Sequence, residues 1–137
     1  MKFLIYLSIF FILQSCQVDI ERKFQINEDE RSNSSPENVS PDVYKVLYEN
    51  DDYIILEATF EPGQGDNLHT HADMFYYVIQ GSMMQITSED GEVFTAELKS
   101  GDFQNQKSTT HQVTNIGSTT ARIIAIEEKL SGSLREI

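Results

Sequence analysis

At 137 residues the chain has room for one modest core plus appendages. Its formal charge of -12 excludes nucleic acid or an anionic membrane surface as an electrostatic partner, and its scattered acidic residues suit a solvated surface. One cysteine excludes an intrachain disulfide.

In chain order, Lys2 precedes an almost unbroken apolar run over residues 3–13. The run is too short to span a bilayer as a helix but has the length of a secretory h-region. It ends in Leu13-Gln14-Ser15-Cys16, which resembles the bacterial lipobox, where a small residue precedes the acylated cysteine. That resemblance implies a signal peptide over residues 1–15 and lipidation at Cys16. It also implies a place in the bacterial cell envelope (periplasm or outer membrane), with contact to the membrane through the lipid anchor alone. Residues 16–41 are polar, carry Asn27-Glu28-Asp29-Glu30 and Ser34-Ser35-Pro36, and have no sustained apolar period. They read as the lipidated cysteine and a flexible tether, with at most a short strand near residues 24–26.

Residues 42–130 read as one all-β domain, and residues 131–137 as a C-terminal tail. Strand-length apolar runs at 43–48, 53–60, 74–79, 83–87, 92–98, 111–115 and 121–127 alternate with turn signals. Asn50-Asp51-Asp52, Glu61-Pro62-Gly63, Glu89-Asp90-Gly91 and Ile116-Gly117-Ser118 are the clearest of those turns. No segment before Ser131 has a helical period, so a sandwich or small barrel is expected.

The chain has three histidines: His69 and His71, one residue apart, and His111, forty positions further on. On an extended strand residues i and i+2 face the same way. Two imidazoles on one sheet face, met by a third from another strand, supply three corners of a coordination sphere.

With these residues in place the chain resembles the cupin superfamily, a small double-stranded β-helix or jelly-roll barrel carrying two sequence motifs. Gly63, His69, His71 and Gly81 match the first motif; Gly101-Asp102, His111 and Asn115 match the second. The resemblance implies a divalent transition metal (Fe, Mn, Zn, Ni or Cu) held by His69, His71 and His111. It also implies a small-molecule ligand or substrate and a homodimer. Two departures matter. Met74 stands where the family's first motif has a glutamate, after a shortened Ala72-Asp73 segment, and Gln104, Asn105 and Gln106 replace apolar residues before the second histidine. Strand alternation from His71 turns Asp73 inward, whereas counting back from Gly81 turns Met74 inward, so a bulge is expected between them. Asp73 is thus a possible fourth ligand; Met74 is core filler or a soft thioether ligand. Gln104 either adds an amide to the cavity or lies on a polar edge strand facing water.

Three neutral imidazoles hold a metal and leave positions open. Acid–base candidates are Tyr76, Tyr77, Asp66 and Asp73, with Tyr76 and Asp73 foremost. Two functions are consistent with these residues: a metal-dependent cupin enzyme of oxygenase or isomerase type, and a non-catalytic small-ligand binder whose site is vestigial or metal-free.

Overall fold

The computed structural model describes residues 33–129. The signal peptide, Cys16, the possible strand near residue 25 and the tail fall outside the described residues. Helix α1 (Pro36–Val39) is followed by nine strands among the described residues: β1 (Tyr44–Glu49), β2 (Tyr53–Phe60), β3 (His69–His71), β4 (Met74–Gln80), β5 (Met83–Ser88), β6 (Val93–Glu97), β7 (Phe103–Gln106), β8 (Thr109–Asn115) and β9 (Ala121–Glu128). They form two antiparallel sheets, ordered β1-β2-β9-β4-β7 and β3-β8-β5-β6. This is the expected all-β jelly roll.

Alternation builds the core. On β2, Ile54, Leu56, Ala58 and Phe60 point inward while the residues between them face out. Met74 and Val78 do the same on β4, and Ala121 and Ala125 on β9. Phe60 and Leu56 are fully buried, each contributing about 1.5–3 kcal/mol of apolar transfer. Gly81 is required by close approach, since a Cβ there would sit 2.0 Å from the Leu98 carbonyl oxygen. Asn115 ties together the loops beside Gly81. Its buried amide donates to Phe60 O and Thr119 O and accepts from Ser82 Oγ and the Gly117 N–H, so every polar valence is met.

Two expectations are corrected. Asp73 and Met74 do not flank a bulge within one strand. Instead β3 belongs to the four-stranded sheet and β4 to the five-stranded one, so the chain changes sheets at Ala72-Asp73 and alternation restarts from Met74. The chain also docks before the expected end of the tether. Ser35, Pro36 and Ser40 are buried, Ser40 Oγ accepts from the Asn67 N–H at 2.8 Å, and the Asn67 amide donates to Val39 O. The single turn of α1 was missed because four residues are too few to display a helical period; Pro36 at its first position suits a helix start.

Candidate metal centre

β3 pairs with β8 so that His69 lies directly opposite His111, while His71 shares the face of His69. Three rings from two strands therefore converge, as their spacing predicts. Ring centroids are 4.6, 4.8 and 5.2 Å apart, each pair close to perpendicular, and one donor atom from each ring lies within 4.8 Å of the others. His69 and His71 are buried and His111 partly so.

The hydrogen bonds assign the tautomers. His69 Nδ1 is 2.8 Å from the Asn67 carbonyl and His71 Nδ1 is 2.6 Å from Glu127 Oε1. Both partners only accept, so both protons sit on Nδ1 and both Nε2 atoms present bare lone pairs. Those two nitrogens lie 2.9 Å apart. Tyr44 does not relieve them: its oxygen is 3.2 Å from His69 Nε2, but its proton goes to Asp66 Oδ2 at 2.8 Å. His111 has no hydrogen-bond partner among the described residues. Two bare lone pairs this close, with a third ring beside them, are stabilised by a cation, and nitrogens bound at ~2.1 Å to a shared ion lie about 3–3.4 Å apart. The donor set fits a divalent metal.

Burial favours the ligating form. It lowers His69 to about 4 and His111 to about 3, so both rings are neutral at pH 7. Burial also raises Asp66 to about 6, although the Val113 N–H and the Tyr44 hydroxyl both pull it down. Tyr44 is raised well above 10, first by burial and then by the Asp66 charge.

Asp73 does not join the histidines, which corrects the fourth-ligand expectation. Its carboxylate turns outward, taking Lys107 Nζ at 2.6 Å and the Ser108 N–H at 2.8 Å, and Lys107 holds it below the usual carboxylate range. With the sheet change at this residue, its job is to tie the crossing to the β7–β8 corner. Met74 faces inward, in the core cluster and on the cavity wall. Of the tyrosines, Tyr76 lines the cavity and donates to Gln104 Oε1, whereas Tyr77 lies on the outer face, half exposed. Asp66 is engaged by Tyr44 and Val113 and has no free oxygen to act as a base.

Sequence reasoning missed Glu127 and Tyr44. Glu127 is buried, holds His71 Nδ1 through one oxygen, and accepts from the Ala72 N–H through the other at 3.1 Å. It sits fifty-six residues from His71 with no motif to mark it. The available signal was a lone acidic residue at an inward position of an apolar strand.

The rings open onto a cavity of about 460 Å³ between the sheets, with His71, His111 and Tyr44 at its wall. Gln104 and Gln106 line it too, and they lie on the edge strand β7. Both sequence readings of this segment therefore hold: the strand is an edge, and its amides face the cavity.

A family described as a cupin domain matches residues 56–127. No functionally curated protein matches the sequence. A cupin domain from Bordetella pertussis Tohama I is similar at 21% identity, covering 64% of this chain and 92% of that one, with a TM-score of 0.58. An RmlC-like cupin family protein with a double-stranded β-helix fold from Methanocaldococcus jannaschii is similar at 18% identity, covering 69% and 85%, with a TM-score of 0.52. At these identities the likeness speaks for the fold alone.

Proposed function

The chain belongs to the cupin domain family, and on that premise we propose that it is an envelope lipoprotein that holds a divalent transition metal at His69, His71 and His111 and binds or transforms a small molecule there. The observation that carries this reading is the pair of bare Nε2 atoms 2.9 Å apart, joined by the ring of His111, which has no hydrogen-bond partner among the described residues. The metal would supply Lewis acidity towards a bound oxygen. Glu127 and Asn67 O hold two of the rings in the ligating tautomer, and the wall beside them is mainly apolar.

A non-catalytic binder is a second reading, and one observation favours it. Asp66 and Glu127 are both held in hydrogen bonds, and no free carboxylate lines the cavity among the described residues. The lipidated Cys16 and tether rest on the lipobox resemblance and would hold the domain at the membrane. A second copy of the chain is the partner proposed, and the exposed Phe75, Tyr77, Phe103 and Ile126 on the outer face of the five-stranded sheet support it.

The test is elemental analysis of tag-free protein beside the H69A/H71A/H111A variant. The wild type is expected to retain a stoichiometric ion and the variant none; equal content in both overturns the metal site. Oxygen uptake with a metabolite panel then separates enzyme from binder. In the same cells Cys16→Ser is expected to leave the membrane fraction, and persistent association overturns the lipid anchor.

A further inference from the structure

The cavity wall is aliphatic and aromatic, with Phe60, Met84, Ile86, Leu98, Val113 and Ile123 contributing. Its polar groups are the histidines with Tyr44, and the Tyr76, Gln104 and Gln106 side chains on β4 and its edge neighbour β7. Among the described residues no lysine or arginine lines it. Of the ionised side chains nearby, Asp102 acts on Tyr76 as a negative charge and Glu127 stands behind His71, while Lys107, next to Gln106, is turned outward to Asp73.

Each feature excludes a ligand class. On the metal-free protein a carboxylate or phosphate would find no cation among the side chains of the wall. A sugar would press hydroxyls against an aliphatic wall that cannot hydrogen-bond them. At about 460 Å³ the space lies towards the smaller end of small-molecule sites. Gln104 is also specific in what it offers. The Tyr76 hydroxyl gives its proton to Gln104 Oε1 at 2.9 Å, so the Gln104 amide presents its NH2 group to a ligand.

We propose that the cavity takes an uncharged, mainly apolar small molecule with a carbonyl or ether oxygen for the Gln104 amide and a second oxygen directed at the histidines. The direction of the second oxygen rests on the metal-centre reading above; the neutrality and the Gln104 contact rest on the wall and the edge strand alone.

Three matched probes test it by calorimetry and by chemical shifts of the Met74 and Met84 methyl groups: para-hydroxyacetophenone, para-hydroxybenzoate and glucose. The ranking is read on chelated protein, where wall and edge strand act without a metal, and metal retention is measured separately. The ketone is expected to shift both methyl groups and to bind about tenfold or more tighter than the carboxylate, with no binding of glucose. Gln104→Leu, on an exposed edge, is expected to weaken the ketone about fivefold while leaving para-ethylphenol, which lacks the carbonyl, unchanged or tighter. Preference for the carboxylate, binding of glucose, absence of any neutral binding, or an equal loss for ketone and ethylphenol overturns the inference. Failure to retain metal overturns the metal centre instead and leaves this ranking standing.

Discussion

A carboxylate 2.6 Å from His71 Nδ1 fixes which nitrogen carries the proton and increases the electron density of the other. Glu127 performs that role from β9, directly across the β4–β9 pair from Met74. The carboxylate missing from position 74 is thus replaced by one on the neighbouring strand, which holds a ring where the family's glutamate would hold the metal. Glu127→Gln keeps the shape and loses the charge, so metal affinity measured against a competing chelator is expected to fall about ten- to hundredfold. Asp73→Asn, at a carboxylate turned outward to Lys107, is expected to leave that affinity unchanged. Equal effects of the two substitutions would remove Glu127 from the centre. The three histidines were legible because i, i+2 spacing is a property of any strand. Glu127 was not, because its partnership depends on register between strands fifty-six residues apart.

At the scale of elements, α1 and the β2–β3 loop form one unit. Ser40 Oγ and Val39 O hold Asn67, whose own carbonyl orients His69, and Asp66 beside it joins Tyr44 of β1 to Val113 of β8. The centre therefore depends on a segment that sequence composition assigns to the tether. Polarity misled there because Ser35 and Ser40 are buried as hydrogen-bonding residues, which composition cannot distinguish from solvated ones. The strands were legible since alternation and turn residues are local, whereas the sheet change at Ala72-Asp73 is a tertiary event. A protein beginning at Asp42 is expected to be about 2–6 kcal/mol less stable to urea than one beginning at Asn33, from four lost hydrogen bonds, two to Asn67 and two from the Val43 and Tyr44 N–H groups to Ser40 O. It should also hold metal more weakly. Equal midpoints would show that α1 contributes nothing to the domain.

Across the whole molecule, the centre links the two sheets, since the histidines lie on β3 and β8 of one and Glu127 on β9 of the other. An ion bound at a hundredfold excess over its dissociation constant adds about 2.7 kcal/mol, so chelation is expected to lower the Tm by about 10 °C or more. In H69A/H71A/H111A it should lower it by nothing. The chelated protein also acquires a pH dependence. A histidine kept neutral by burial takes its proton first in the unfolded chain, so its stabilising effect is complete above about 6.5 and drains as pH falls towards 4 for His69 and 3 for His111. Asp66 opposes this: raised to about 6, it stabilises most below its ordinary 3.8 and loses that as pH rises through 6. Two rings outweigh one carboxyl between pH 6 and 4, so the contribution of this cluster falls in acid. Read as the difference between wild type and His111→Gln, the urea midpoint of chelated wild type is expected to drop more steeply from pH 7 to 4.5. Parallel profiles would mean that His111 is not held neutral by the fold.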